Sequence, residues 1–174
     1  MEIIKKVDCY LSLGSNLGNT QQNILNAIEA IATEEVLINT SQIYETLPIG
    51  FVSENLFANA CVQIQTEKTA HDLLTFLKQL EVNIGRKEKS EENTYNDRII
   101  DIDILLFGDE IIETTELSVP HKKYSERNFV IVPLCDIAEK LTDPQTKLTM
   151  RQYFFNLRST ELRIIVNNSK SEEQ

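Results

Sequence analysis

The sequence lacks a basic excess: 17 Lys and Arg stand against 27 Asp and Glu, a formal net charge of -10. That balance argues against a general nucleic-acid or membrane-surface binder, either of which would carry clustered positive charge. It leaves room for a small anionic substrate, because a local basic cluster or a bound cation can reverse the field inside one cleft. No apolar run approaches the ~20 residues that a membrane span requires, and the N-terminus lacks a signal-peptide pattern. Cysteine is scarce. Cys9, Cys61 and Cys135 are widely spaced and odd in number, and they read as small buried hydrophobes in a reducing cytoplasm. There is no internal repeat, no low-complexity block and no Walker-type phosphate loop. Gly14-Ser15-Asn16-Leu17-Gly18 has the glycines of such a loop but not the lysine that reaches the phosphates.

What is present is a chain of 174 residues, 41% hydrophobic and 25% charged, the composition of an ordinary globular protein. A chain of this size buries roughly 70% of its unfolded surface and needs no metal or disulfide to fold. One domain is expected over residues 1–166, with a polar tail at 167–174. The pattern alternates strand-like and helix-like segments. Val7–Leu13 reads as a strand. Asn19 reads as a helix cap with Gln22 in the capping-box position, followed by Ile24, Leu25, Ile28 and Ile31 at helical spacing. Val36–Tyr44 and Phe57–Gln65 read as strands, the second with Ala58, Ala60, Val62 and Ile64 on one face. Thr69 and Asp72 open a helix whose stripe of Leu73, Leu77, Leu80 and Ile84 stops at Gly85, a C-cap. Ile99–Phe107 reads as a strand, Gly108-Asp109 as a turn and Glu110–Glu113 as the returning strand of a hairpin. Val130–Lys140 and Met150–Leu157 read as helices and Glu161–Val166 as a last strand. This order predicts an α+β domain, a mixed or antiparallel sheet with packed helices, for which a ferredoxin-like βαββαβ core is suited.

The most informative stretch is Arg98-Ile99-Ile100-Asp101-Ile102-Asp103-Ile104-Leu105-Leu106-Phe107. In a strand, Asp101 and Asp103 point the same way, with Ile99 and Leu105 on their face and Ile100, Ile102, Ile104 and Leu106 on the other. A strand apolar on both faces is normally interior to a sheet. Two carboxylates there, roughly 6.5 Å apart at Cα from the strand rise, repel each other and are poorly solvated. Either one takes a proton or a divalent cation sits between them, and Mg held with substrate phosphates is the common arrangement of the second kind. The plainer alternative is that both sit at an exposed strand end, paired with Arg98 or a lysine. Asp-x-Asp is short and recurs elsewhere, in nucleotide-sugar glycosyltransferases and haloacid-dehalogenase-type phosphatases. Basic residues flank the pair on both sides: Arg86, Lys87, Lys89 and Arg98 before or beside it, His121, Lys122, Lys123 and Arg127 after it. In so acidic a chain that clustering points to polyphosphate plus Mg.

These residues resemble the 6-hydroxymethyl-7,8-dihydropterin pyrophosphokinase family. The likeness runs from Tyr10-Leu11-Ser12-Leu13-Gly14-Ser15-Asn16-Leu17 through Tyr44-Glu45-Thr46-Leu47-Pro48-Ile49-Gly50, Phe57-Ala58-Asn59-Ala60, and Leu80-Glu81 before Gly85-Arg86. It continues through Arg98-x-x-Asp101-x-Asp103-x-Leu105-Leu106-Phe107-Gly108 and Val119-Pro120-His121 to Glu126-Arg127-x-Phe129 and about Ala138. The resemblance implies a monomeric cytoplasmic enzyme that moves pyrophosphate from ATP to the pterin's hydroxymethyl oxygen and releases AMP. Asp101 and Asp103 would hold two Mg ions and, with Arg86 and Arg98, form the catalytic set. Phe57 and Phe129 would sandwich the pterin, Asn59 would read its edge, and Thr46, Leu47 and Ile49 would offer backbone groups to it. Arg86, Arg98, His121 and Arg127 would meet the triphosphate, and Leu74, Glu81 and Ile104 would border the nucleotide. Three departures stand out: Asn96-Asp97 replaces a frequent Gly-Pro before Arg98, Tyr95 replaces a tryptophan at the loop tip, and Glu116 falls where some members carry an arginine. The polar loop Arg86–Arg98 is expected to be mobile when free and to close over bound ligands. The competing reading is a ferredoxin-like module that binds a small ligand or RNA without catalysis. The acidic balance and the missing aromatic-basic RNP pattern oppose RNA, and the carboxylate pair opposes a passive pocket.

Overall fold

The computed structural model describes residues 6–48, 54–85 and 97–157, and the backbone of 163–164. Strand β1 (Val7–Ser15) leads to helix α1 (Thr20–Glu34), then strands β2 (Val36–Thr40), β3 (Tyr44–Thr46) and β4 (Phe57–Thr66). Helix α2 (Ala70–Ile84) and strand β5 (Asp101–Phe107) follow. Beyond these lie β6 (Ile112–Glu113), β7 (Ser118–Val119), a 3-10 turn (Tyr124–Glu126), α3 (Asn128–Ala138), α4 (Met150–Asn156) and β8 (Arg163–Ile164).

The main sheet runs β5-β1-β4-β3-β8, with β2 also on β4, and its described pairings are antiparallel. If β2 and β3 count as one broken strand, the order is fourth-first-third-second. That is the antiparallel ferredoxin-like arrangement of βαββαβ.

Local signals place the first two helices. Asn19 Oδ1 accepts from the Gln22 N–H at 3.1 Å, which caps α1. The reciprocal arm of a capping box does not form, because the Gln22 side chain turns along the helix and donates to Asn26 Oδ1 at 2.8 Å. Thr69 Oγ1 caps α2 by accepting from Asp72 N at 3.2 Å. Gly85 ends that helix at φ 114°, where a Cβ would be strained. Ile24, Ala27 and Ile31 of α1 and Leu73, Leu77 and Leu80 of α2 pack on one face of the sheet, against Leu11, Leu13, Val62, Ile64, Ile102 and Ile104. Leu25, placed on the same stripe by spacing, is 36% exposed. A narrower stripe suffices here because one sheet face and one neighbouring helix take up the apolar side.

The opposite face carries α3 and α4. Val130, Ile131, Leu134, Met150 and Tyr153 bury Tyr10, Cys61, Leu105 and Leu106. Leu106 therefore lies on the face opposite to the one that strict alternation assigns. A register shift between Tyr10 and Leu11 in the β1–β5 ladder inserts the extra residue that turns it over. β5 itself is at the sheet's edge, not its interior. Its apolar character is explained by helices that cover it from both sides, with the Glu81 carboxylate of α2 accepting from the edge N–H of Ile102 at 2.6 Å. The expected hairpin also differs. Gly108 (φ 50°) donates to Asp8 O at 2.8 Å, and the chain then leaves β5, so Ile112–Glu113 pairs with Ser118–Val119 instead.

Among the described residues no helix is long and apolar enough to cross a membrane. The three cysteines are unpaired; Cys9 and Cys61 are buried and Cys135 is half-buried. Burial pushes all three thiols up, that of Cys135 to about 11, so they remain protonated near neutral pH.

Candidate active site

α3 covers only part of its sheet face, and the uncovered part is the floor of a cleft of about 540 Å³. The ladder sets this floor row by row. Asp101, Gly14 and Asn59 lie side by side across β5, β1 and β4, and Asp103, Ser12 and Cys61 form the next row. Opposed residues in an antiparallel pair project to the same face, so both aspartates join Ser12, Gly14 and Asn59 on the cleft side. The cleft is also lined by Thr46, Leu47, Phe57 and Phe129, by Arg98, His121 and Arg127, and by Lys123 and Glu126.

The carboxylates share the cleft with basic groups. Arg98 Nη1 donates to Asp101 Oδ2 at 2.6 Å, so the plainer expectation of an aspartate paired with Arg98 holds for one carboxylate. Arg98 Nε is buried and finds no acceptor among the described residues. Asp103 is pushed up to about 7, chiefly by burial, then by the charges of Asp101 and Glu81, with Arg127 and Arg98 opposing. A cation beside it would remove that strain. Two carboxylates are the hard donors that Mg takes, and among the described residues no group of three or more His, Cys, Asp or Glu assembles. Asp101 and Asp103 could supply two oxygen ligands to such an ion.

His121 sits where the chain returns to β5, its N–H donating to Leu105 O at 2.9 Å. Its Nδ1 accepts from Lys123 N at 3.3 Å, which leaves Nε2–H as the free donor. Burial and then the Arg127 charge hold this imidazole below its ordinary range, so it is neutral at physiological pH. Two aromatic rings, Phe57 and Phe129, share the cleft. The Arg127 guanidinium lies 5.7 Å from the Phe129 ring centroid. Asn59, 4% exposed, donates from Nδ2 to Thr46 Oγ1 at 3.0 Å.

The cleft therefore gathers Thr46, Leu47, Phe57, Asn59, Arg98, Asp101, Asp103, His121, Arg127 and Phe129. Leu74, Glu81 and Ile104 do not line it. Ile104 is 2% exposed in the core under α1 and α2, Leu74 packs on that core, and Glu81 is spent on the β5 edge. Ile49, Arg86 and the loop up to residue 96, with its expected mobility, lie outside the described residues. Glu116 is exposed, and Lys122 pairs with Glu113 at 2.8 Å away from the cleft. Sequence reasoning left Ser12, Leu13, Gly14 and Glu126 unassigned and weighed Lys123 only as one of a cluster. The first three lie at the end of β1, where the strand runs into Gly14-Ser15-Asn16-Leu17-Gly18, a stretch set aside for want of a lysine.

The segment bearing His121 and Arg127 is anchored from below. Asp143, 3% exposed, accepts from Tyr124 Oη at 2.6 Å, Tyr153 Oη at 3.0 Å, Gln145 N at 2.7 Å and Thr146 N at 3.0 Å. Burial alone would raise this carboxyl, but the hydrogen bonds outweigh it and hold it below the usual range. Tyr124→Phe is expected to cost about 1.5–3 kcal/mol, the worth of a bond to a charged group. A depressed carboxyl stabilises above its unfolded pKa of about 3.9, and the contribution disappears as pH falls through the native value. Urea unfolding should show the wild-type advantage in full at pH 7 and shrinking in strongly acid buffer.

Comparison with known proteins agrees with this geometry. Residues 10–139 match the family model described as 7,8-dihydro-6-hydroxymethylpterin-pyrophosphokinase. The chain is 41% identical over 131 residues to the 2-amino-4-hydroxy-6-hydroxymethyldihydropteridine pyrophosphokinase of Porphyromonas gingivalis, covering 74% of this chain and 89% of that one. It is 38% identical over 148 residues to the folic acid synthesis protein FOL1 of Dictyostelium discoideum, covering 85% of this chain but only 22% of that longer protein. In fold it is similar to Plasmodium falciparum HPPK-DHPS, at a TM-score of 0.69 and 18% identity, over 87% of this chain and 41% of that one.

Proposed function

The chain belongs to the 7,8-dihydro-6-hydroxymethylpterin-pyrophosphokinase family, and from that premise we propose that it transfers pyrophosphate from ATP to 6-hydroxymethyl-7,8-dihydropterin, releasing AMP, in folate biosynthesis. The observation that carries this reading is that one cleft is lined by the Asp101 and Asp103 pair, by the cations Arg98 and Arg127 and by the rings of Phe57 and Phe129.

In the transfer, the hydroxymethyl oxygen forms a bond to the β-phosphorus while the bond from that phosphorus to the α-phosphate oxygen breaks. AMP leaves with the electron pair and the hydroxyl proton passes to water. Phe57 and Phe129 hold the flat pterin between their rings, and Asn59, braced by Thr46, reads its edge. Thr46, Leu47, which is 70% exposed, and Ile49, two residues beyond it in sequence, offer backbone groups to the pterin. Arg98, Arg127 and the neutral Nε2–H of His121 bind the triphosphate, and Arg86 is assigned to the same task. Asp101 and Asp103 would hold two Mg ions, which when bound would neutralise phosphate charge and lower the pKa of the attacking hydroxyl. Leu74, Glu81 and Ile104, which do not line this cleft, are assigned to the border of the nucleotide.

We assign residues 1–166 to one catalytic domain, monomeric and cytoplasmic, with 167–174 as a tail and no nucleic-acid partner. A binding module without catalysis is not favoured, since a passive pocket has no use for the carboxylate pair. The deciding assay follows AMP. Release from ATP should require both the pterin and Mg, and release that ignores either one would overturn the assignment.

A further inference from the structure

We propose that Asp97 is a positioning residue that ties the pterin wall of the cleft to its phosphate wall, a role that rests on the function proposed above. β1 ends at Ser15, β4 begins at Phe57 and β5 begins at Asp101, so all three meet at one end of the sheet. β1 lies between the other two. The segments leading into β4 and β5 therefore have no ladder joining them directly.

Asp97 spans that gap. Its Oδ1 accepts from Asn16 Nδ2 at 2.6 Å and its Oδ2 accepts from Asn55 Nδ2 at 2.8 Å. Asn16 is 2% exposed and clamps the following residue from both sides. Arg98 N donates to Asn16 Oδ1 at 2.7 Å, and Asn16 N donates to Arg98 O at 3.0 Å. Arg98 in turn holds Asp101 at 2.6 Å. One carboxylate thus connects residue 55, two positions before Phe57, to the arginine and aspartate at the other end of the cleft. The chemistry requires a carboxylate: both partners present N–H donors, and a side-chain amide has only one oxygen with which to accept. Bonds to a charged acceptor are also the stronger kind. The departure from Gly-Pro at Asn96-Asp97 then has a physical meaning, because a side-chain brace stands where a stiff backbone would otherwise enter β5.

Each ligand alone touches mainly one wall, whereas in-line transfer needs the two walls in register. Misplacing reacting groups by about 1 Å can cost about 10²-fold in rate. Asp97→Ala is therefore expected to lower kcat for AMP release about tenfold or more, while the separately measured Kd values of the pterin and of a non-hydrolysable ATP analogue each move less than about threefold. Exchanging the partners supplies the rescue. Asn55→Asp sets two carboxylates against each other and should lose rate. N55D/D97N lets position 97 donate to position 55 while still accepting from Asn16, and should recover kcat to within about threefold of wild type. If Asp97→Ala fails to fold, the Asn55→Asp and N55D/D97N comparison still decides. The brace is overturned if the exchanged pair is no better than Asn55→Asp. It is also overturned if Asp97→Ala leaves kcat unchanged, or weakens each ligand's binding as much as it lowers kcat. A wild-type enzyme without pterin-dependent AMP release overturns function and brace together, whereas wild-type turnover with an indifferent Asp97→Ala overturns the brace alone.

Discussion

Asp103→Ala is expected to reduce AMP release by about 10³-fold or more, the scale on which one preorganised charge stabiliser acts, and to raise the melting temperature of the metal-free protein. The two effects have one cause. Asp103 lies in the cleft floor beside Asp101, and burial with neighbouring negative charge lifts its carboxyl to about 7. A raised carboxyl costs nothing below the unfolded pKa of about 3.9, where both states are protonated. The cost grows as pH rises through the native value of about 7 and is complete above it. The stabilisation of the alanine variant should therefore be largest at about pH 8 and vanish near pH 4. Asp101→Ala should lose activity similarly but without the same gain, because it strips Arg98 of its 2.6 Å partner. Near-wild-type turnover by either variant would remove the metal assignment. A metal-free Asp103→Ala protein that is less stable than wild type at pH 8 would instead contradict the electrostatic account of the pair.

Phe129→Ala is expected to weaken pterin binding about tenfold, from a stacking contribution of about 0.5–1.5 kcal/mol beyond the area it buries. The nucleotide should lose less. Phe129 lies under Arg127, 5.7 Å from its ring, a contact worth about 0.5–1 kcal/mol at a partly exposed site. Phe129→Leu separates stacking from packing, since leucine retains apolar contact with the cluster beneath α3 but has no ring face. Fluorescence titration of the pterin and calorimetry of a non-hydrolysable ATP analogue give the two affinities. Equal losses for both ligands, or full pterin affinity in Phe129→Leu, would make Phe129 a packing residue and leave Phe57 alone on the pterin.

Much of this molecule is local, and what is local was legible in the sequence. The spacing of Ile24 and Ile31, and of Leu73, Leu77 and Leu80, marks helix faces because a helix repeats every 3.6 residues. Asn19, Thr69 and Gly85 mark helix ends because their side chains, or the absence of one, satisfy groups within a turn. The two-residue period of a strand put Asp101 and Asp103 on one face before any partner was known. Those periods, together with the ordered motifs from Tyr10 to Phe129, determined the α+β class and the family.

The rest depends on contacts between residues far apart in the chain, which no local period carries. Asn16 meets Asp97 and Arg98 across 81 and 82 residues, and Tyr44 reaches Asp136 across 92. The edge position of β5, the register shift that turns Leu106 over and the pairing of β6 with β7 are likewise set by which strand lies alongside which. A strand buried on both faces has the same apolar pattern whether its covers are strands and helices or helices alone, so periodicity could not tell an edge from an interior. Only the packed sheet decided that Ile104 faces the core and Asp101 faces Arg98. Only the same packing made an aspartate at position 97 a link between two walls.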